Sequence, residues 1–239
     1  MCGRFTLHLA DLAELRAPFA VQRILISDWR PRYNIAPSQL APVVLAREQR
    51  TIEALRWGLV PHSAKSAREG SRLINARVES IAERQSFRGA FRERRCIVPA
   101  TGYFEWQTVV GQRSKQPFWA HPDDGSVLAL AGLWESSQPP DGDAIDSFAI
   151  VTTVAQGALR QIHDRMPLCL RGQDVERWLR PGTLPRRQLD ELVLAAASVN
   201  AMGLQEVDRR VGSPTFDEPA CIAPPAAEAQ TPRQRGLFD

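Results

Sequence analysis

The sequence predicts an α+β fold: a single domain with a curved, mostly antiparallel β-sheet or barrel core and flanking helices. Two observations favour this class. Short runs of β-branched and aromatic residues recur between turn signals, and only a few segments have the apolar spacing of a helix. With 44% hydrophobic and 24% charged residues, the chain of 239 residues can bury a sizeable core. We expect this domain to span residues 2–222.

Apolar residues at helical spacing predict the helices. In Asp11–Phe19, the side chains of Leu12 and Leu15 fall on one side and Asp11 can cap the first turn. Helices are also predicted over Ser80–Arg94, Val175–Leu179 and Leu189–Ala197, and a short helix or turn over Leu159–His163. Within Ser80–Arg94, arginines recur every four residues on one face, a pattern typical of a solvated surface.

Strand patterns account for most of the remaining chain. Ala41–Leu45 and Thr51–Trp57 predict a hairpin, Arg32–Pro37 a loop, and His62–Ser71 a polar, mobile loop. Further strands are predicted at Cys96–Pro99, Tyr103–Thr108, Phe118–Ala120, Leu128–Trp134 and Phe148–Thr153.

The charge of the chain and its lack of targeting segments indicate which partners and which compartment to expect. The net charge is +3, and 28 of the 30 basic residues are arginine, because Lys65 and Lys115 are the only lysines. Arginine binds phosphate with a planar fork, although a genome rich in G and C explains the same bias. The sequence shows no apolar run of about 18 residues and no signal peptide, so we expect a cytoplasmic protein with no membrane contact.

The four cysteines differ in context. Cys96 and Cys169 have apolar neighbours and are expected to be buried, and no CxxC pair indicates a metal or redox site. Cys2 is followed by Gly3, so an aminopeptidase that accepts small second residues can remove Met1. The mature end then carries an amine and a thiol, with ordinary pKa values of about 7.7–8.0 and 8.5.

Four segments carry the chemistry: Met1-Cys-Gly-Arg-Phe5, Ile74-Asn-Ala-Arg77, Cys96 to Trp106 (CIVPATGYFEW), and Ile162-His-Asp-Arg-Met-Pro167. Together they resemble the SRAP family, the "SOS response-associated peptidase" proteins, whose members crosslink to abasic sites in single-stranded DNA. The resemblance runs in order from residue 2 to about residue 222. It implies that Cys2 traps the aldehyde of an opened deoxyribose, first as an imine and then as a thiazolidine.

The resemblance also assigns roles. Glu105, between Phe104 and Trp106, is implied to be a general acid/base with a raised pKa, and His163 to protonate the sugar during ring opening. Asn75 can hold the Cys2 amine or a nearby backbone group. The predicted DNA contacts are Arg4, Asn34, Pro37, Arg77, Thr152 and Arg165. No cofactor or metal is expected, and the protein is expected to be a monomer.

One segment departs from the family pattern. Many relatives have a tryptophan just after the Trp-Gly-Leu-x-Pro segment, where this chain has His62-Ser-Ala-Lys65. A base-stacking side chain is therefore missing there or supplied elsewhere.

Two other functions stay open at this point. The first is a cysteine peptidase or amidase that uses Cys2, His163 and Glu105, in its narrowest form for the removal of Met1. The second is a non-catalytic reader of modified DNA bases, which would have no need of a free terminal cysteine.

The tail, residues 223–239, has a different composition. Pro, Ala, Gln and Glu dominate and no core pattern remains, which predicts disorder. Its last residues place Gln234, Leu237 and Phe238 where the bacterial sliding-clamp-binding peptide, Gln-x-x-Leu-Phe, has its anchors, although Arg235 stands where leucine is preferred. The replication sliding clamp is therefore a predicted partner.

Overall fold

Two β-sheets form the core of the protein in a computed structural model, which describes residues 2–140, 142–197 and 202–225. The strands are β1 (Arg4–Leu7), β2 (Arg23–Ile24), β3 (Arg32–Ile35), β4 (Leu40–Ala46), β5 (Arg50–Trp57), β6 (Asn75–Arg77), β7 (Arg95–Ala100), β8 (Gly102–Gln107), β9 (Gln116–Pro122), β10 (Leu128–Ser137), β11 (Ile145–Val154), β12 (Arg165–Pro167), β13 (Cys169–Leu170) and β14 (Met202–Glu206). The first sheet is antiparallel throughout, in the order β14-β9-β8-β1-β3.

The second sheet closes on itself. Strands β11, β10, β7, β4 and β5 pair in succession, and a parallel pairing of β5 with β11 completes a five-stranded barrel. The short strands β6 and β12 pair with β11, β13 with β10, and β2 with β5. The predicted α+β class with a mostly antiparallel sheet or barrel core is confirmed.

The helices are short and flank the barrel. They are α1 (Arg16–Phe19), α2 (Gln85–Glu93), α3 (Gln173–Leu179) and α4 (Arg186–Ala197), with 3-10 segments at Leu12–Leu15, Ala67–Arg72, Gly157–Gln161, Arg209–Gly212 and Pro219–Ile222. The predicted cap is confirmed, since an Asp11 carboxylate oxygen accepts from the backbone N–H of Ala13 at 2.8 Å. No helix within the described residues is long and apolar enough to cross a membrane.

Three predictions about local structure are wrong. Arg32–Pro37 is not a loop, because β3 occupies Arg32–Ile35 and pairs with β1. The helix predicted from Ser80 begins only at Gln85, since the residues before it form a turn on the Ser80 carbonyl. The polar segment His62–Ser71 contains a 3-10 helix, and there the backbones of Gly58 and Gly70 touch so closely that a Cβ on Gly58 would lie 2.5 Å from the Gly70 oxygen.

The main core fills the space between the first sheet and the barrel. Phe5 on β1 makes an edge contact with Trp57 on β5 at 5.1 Å between ring centroids, and Trp57 stacks on Phe148 of β11. All three side chains are completely buried. Cys2 precedes β1, so this packing holds Cys2 at the junction of the two sheets.

Candidate active site

Cys2 is completely buried beside β1. The side-chain amide of Asn75, at the start of β6, donates a hydrogen bond of 2.8 Å to the Cys2 carbonyl, and the Cys2 sulfur lies 3.7 Å from the Arg4 carbonyl. Burial raises the pKa of the Cys2 thiol well above its ordinary value, and the negative charge of Glu105 raises it further. The thiol is therefore protonated at neutral pH and needs a proton acceptor before it can react.

Glu105 supplies such an acceptor. It lies on β8, only 3% exposed, and its charge acts on both Cys2 and Tyr103. Burial raises the pKa of Glu105 to about 7, against the opposing positive charge of the chain's amino terminus. The expectation of a raised carboxyl pKa is confirmed. At neutral pH both forms of Glu105 are populated, so the group can give or take a proton.

His163 immediately precedes β12. Strand β12 pairs with β11, the same barrel strand that β6 pairs with. Its Nδ1 accepts a 3.0 Å hydrogen bond from the backbone N–H of Arg165 and also lies 2.8 Å from an oxygen of Asp164. The hydrogen bond from Arg165 requires an Nδ1 without a proton, whereas a hydrogen bond to the Asp164 carboxylate would require an Nδ1 that carries one. Asp164 is 82% exposed at its side chain and well screened, so we assign the lone pair to Nδ1. Partial burial and the amino-terminal charge lower the pKa of His163, which leaves a neutral ring with its proton on Nε2.

The Asn75 side chain takes the second of its two predicted roles, since it binds the Cys2 backbone carbonyl. Its oxygen is buried and accepts no hydrogen bond from the described residues. An amide so placed fixes the Cys2 backbone and keeps one acceptor available for an N–H group.

The predicted DNA contacts divide into two groups. Arg77, at the end of β6, is exposed. Arg165 is buried and held by Glu79 through two hydrogen bonds of 2.7 and 2.9 Å. Thr152 is completely buried, and its backbone carbonyl accepts from Arg165 at 2.7 Å. The Thr152 side chain is thus covered in this structure, and the predicted contact of Thr152 with phosphate stays a prediction.

The second group, Arg4, Asn34 and Pro37, is tied to the last described segment or to a turn. Arg4 donates to the Gly212 carbonyl at 2.9 Å. Asn34 is completely buried, and its amide nitrogen donates to the carbonyls of Val211, Ser213 and Phe216 at 3.0, 3.0 and 2.8 Å. The Asn34 side chain thus anchors residues 211–216 in this structure, and its contact with DNA stays a prediction. Pro37 is half-buried in the turn between β3 and β4.

Sequence reasoning missed two charged residues that hold this arrangement. Glu79 pairs with Arg165, and Asp217 accepts from the backbone N–H groups of Tyr33 and Asn34 at 2.6 and 2.8 Å. For Glu79 a signal existed, because it follows Arg77 by two residues and extends the Asn-Ala-Arg motif. For Asp217 there was none, since its partners lie more than 180 residues away.

The segment that departs from the family pattern begins at His62, beside a groove of about 640 Å³ between residues 61–63 and α2. His62 and Ser63 line it, together with Arg88 and Arg92 of the arginine face. Arg92 is bound to its neighbour Glu93 at 2.7 Å. Residues 61–63 contribute no tryptophan to this groove, and His62 is their one ring-bearing side chain other than Pro61. No group of three metal-binding side chains occurs in the described parts of the chain.

Comparison with known proteins settles the family. The model of the family described as SOS response associated peptidase (SRAP) matches residues 1–214. The chain belongs to the SRAP family. The resemblance seen in the sequence motifs is thereby confirmed.

Among SRAP relatives, the chain is 33% identical over 224 residues to "Abasic site processing protein YoqW" of Bacillus subtilis (strain 168), with 93% of this chain and 99% of that protein covered. It is 29% identical over 272 residues to "Abasic site processing protein HMCES" of Rattus norvegicus, with 94% and 76% covered. A solved structure from Bacteroides thetaiotaomicron shares the fold, with a TM-score of 0.77, 23% identity, and 93% and 99% of the two chains covered.

Proposed function

We propose that this SRAP protein processes abasic sites in single-stranded DNA by forming a covalent link through Cys2. The observation that carries the proposal is the arrangement of Cys2, held by Asn75, within the electrostatic reach of a carboxyl group whose pKa is about 7. The relatives named as abasic site processing proteins cover nearly the whole chain and support the same substrate.

The reaction begins once Met1 is removed. The Cys2 amine adds to the aldehyde carbon of the opened deoxyribose, and loss of water gives an imine. The Cys2 sulfur then adds to the imine carbon while its proton passes to the nitrogen, which closes a five-membered thiazolidine. One water molecule is released overall, and no oxidant or reductant is consumed.

Glu105 serves both halves of this sequence. Its protonated form can donate to the hydroxyl that leaves as water, and its ionised form can take the proton of the buried Cys2 thiol. A carboxyl group with its ordinary pKa would be almost entirely ionised at neutral pH and could not do the first step. The Nε2–H of neutral His163 can donate a hydrogen bond to the sugar ring oxygen during ring opening, while a proton transferred to that oxygen has to come from the imidazolium form, the minor form at neutral pH.

A cysteine peptidase or amidase is the alternative. A nucleophilic peptidase thiol is activated by a lowered pKa or a strong adjacent base, whereas the pKa of Cys2 is raised by burial. The crosslinker tolerates this because the amine attacks first. Removal of Met1 by the protein itself is the form of this activity that remains compatible with the crosslinker.

A denaturing gel separates these functions. The mature protein is incubated with single-stranded oligonucleotides that differ only in one abasic site. We expect a heat-stable, slower band with the abasic strand alone, whereas a peptidase or a reader of modified bases would give none with either strand. Little product is expected with a fully paired abasic duplex, because the aldehyde must reach a buried residue.

Replacing Glu105 with glutamine is expected to slow crosslinking by ~10²–10⁴-fold, because glutamine neither gives nor takes a proton. The wild-type rate should change with pH around 7, where Glu105 passes from its protonated to its ionised form. The variant should lack this inflection. Single-turnover gel assays between pH 5.5 and 8.5 measure both, and an inflection near 7 that persists in Glu105→Gln would assign it to another group.

The same substitution provides its own folding control. A raised pKa means that the folded state holds the Glu105 proton more tightly than the unfolded state, so stability is lost as pH rises from about 4.5 to about 7. The difference between the two pKa values corresponds to a loss of about 3 kcal/mol in the free energy of unfolding once the pH is above both of them. Glu105→Gln should therefore unfold at a higher temperature than wild type at pH 8, and a slower rate cannot then be ascribed to loss of the fold.

We further propose that residues 2–222 form the crosslinking domain and residues 223–239 a tether to the replication sliding clamp. Residues 226–239, with Gln234, Leu237 and Phe238, lie outside the described residues, and the sequence pattern alone supports this proposal. Two adjacent apolar anchors suit a pocket, and attachment to the clamp would raise the local concentration of the domain at replicating DNA.

A fluorescent peptide of residues 230–239 should bind purified clamp measurably more tightly than the same peptide with Leu237→Ala and Phe238→Ala. Equal titration curves would remove the clamp from the proposed partners and leave the Cys2 chemistry untouched.

A further inference from the structure

Arg165 is held on several sides. Its side chain is 9% exposed, and one terminal nitrogen donates to the Thr152 carbonyl at 2.7 Å. Its backbone pairs with Val154 across β12 and β11, and its N–H supports His163. The guanidinium is thus tied to the barrel through Thr152 independently of Glu79, while its buried Nε has no hydrogen-bond partner among the described residues.

That outer edge is occupied by Glu79. The two carboxylate oxygens accept one hydrogen bond each from the two terminal nitrogens of Arg165, at 2.7 and 2.9 Å. This two-point geometry is the one in which arginine also binds a phosphate group. The Glu79 side chain is 45% exposed, so it can leave Arg165 for water without disturbing the core.

The charges around Glu79 are positive and favour its ionised form. Partial burial on its own would raise the pKa of Glu79, but the hydrogen bonds and charge of Arg165 and the charge of Arg77 outweigh it and hold the pKa below its ordinary value. Glu79 is therefore an anion near two arginines at neutral pH, at a place where the sequence predicts that both arginines contact DNA phosphates.

We propose that Glu79 competes with DNA phosphate for Arg165 and thereby limits how tightly the protein holds single-stranded DNA before the covalent link forms. The proposal rests on the proposed function, and it makes Glu79 a specificity-determining residue. A phosphate that binds Arg165 must displace a carboxylate that makes equivalent hydrogen bonds, so each exchange gains little net free energy.

Weak noncovalent binding has a consequence for substrate choice. Phosphates occur at every nucleotide, whereas the aldehyde occurs only at the lesion. If Arg165 held every phosphate strongly, undamaged strands would occupy the protein. With Glu79 in place, the difference between damaged and undamaged strands rests on the Cys2 chemistry.

The test is equilibrium binding of an intact single-stranded oligonucleotide, followed by fluorescence anisotropy at several salt concentrations. The variant is Glu79→Gln, whose amide oxygen can still accept one Arg165 N–H and keep the guanidinium in place. The matched control is Glu83→Gln, which removes the same charge from an exposed residue four positions further along the chain. Thermal unfolding of both variants establishes that they are folded at the assay temperature.

We expect Glu79→Gln to bind roughly 3- to 10-fold more tightly than Glu83→Gln at low salt, as for the gain of one charge-assisted contact. Its plot of log K against log salt should be steeper by ~0.7, the value for one more phosphate contact on a single strand. Glu79→Ala, which lacks any acceptor, should also bind more tightly than the control.

Two outcomes would overturn the proposal. Equal affinities and slopes for Glu79→Gln and Glu83→Gln would mean that Arg165 does not receive a phosphate. Weaker binding by both Glu79 variants would make Glu79 a support for Arg165 rather than its competitor. An intact strand has no aldehyde, so neither outcome depends on the Cys2 link, and the gel assay with abasic DNA tests that link separately.

Discussion

Replacing Cys2 with alanine is expected to abolish the heat-stable adduct with abasic single-stranded DNA. The terminal amine of alanine can still form an imine, but no sulfur is present to close the ring. An imine is hydrolysed on heating, whereas a thiazolidine has two bonds from one residue to the same carbon. Cys2→Ser should behave in the same way or give at most a labile product, since a hydroxyl closes the ring less favourably.

The measurement is the denaturing gel with and without heating, and with borohydride added to one sample. Borohydride reduces an imine to a stable amine, so it should trap Cys2→Ala on DNA even though heat alone destroys that adduct. This result would separate loss of sulfur chemistry from loss of DNA binding. A heat-stable adduct of Cys2→Ala without borohydride would rule out the thiazolidine.

Cys169→Ala is the matched control. Cys169 is also a buried thiol, and its ionised form would raise the pKa of both Cys2 and Tyr103, so it is a second sulfur in the same region. It lies on β13, and the pKa of its thiol is raised to about 12 by burial. Because it has no terminal amine, we expect its removal to leave the adduct intact.

The sequence was informative about residues whose chemistry depends on their place in the chain. Cys2 is special because it becomes the amino terminus, a property that requires no knowledge of the fold. Glu105 is more instructive. Its raised pKa was expected from Phe104 and Trp106, yet neighbours in a strand point to opposite faces. Phe104 belongs to a separate cluster with Val207 and Val211.

The burial of Glu105 therefore has another origin. Tyr103, two residues away on β8, shares its face and is packed in the main core, and its own pKa responds to the charge of Glu105. The direction of the shift was right, but its cause is tertiary packing between the sheet and the barrel. A single-strand pattern cannot reveal which side of a strand the fold will cover.

The surroundings of the residues predicted to contact DNA were harder to predict for the same reason. Asn34 lies before the first predicted hairpin and Thr152 at the end of a predicted strand, and their polar side chains favoured a surface role. Both are completely buried, Asn34 under carbonyls of residues 211–216 and Thr152 beneath Arg165. The short strands β6 and β12 were missed because three residues are too few to show a period of two.

Retaining any residue before Cys2 is expected to abolish crosslinking as completely as Cys2→Ala. The nitrogen of Cys2 is then an amide whose lone pair is delocalised into the carbonyl, so it cannot form an imine. The thiol remains, but its addition to an aldehyde gives only a reversible product. Its raised pKa disfavours even that at neutral pH.

The sharpest form of this test uses one protein before and after cleavage. An amino-terminal tag is joined to Cys2 through a protease site that leaves Cys2 as the first residue. Intact mass establishes the state of the terminus, and the denaturing gel measures the adduct. We expect no adduct before cleavage and wild-type yield after it, because residues 2–239 are the same in both samples.

Undiminished crosslinking by protein whose mass shows the tag in place would contradict the role of the amine. Mature Cys2→Ala, which has the amine without the sulfur, completes the comparison: each half of the terminal cysteine is removed in turn, and the stable link requires both.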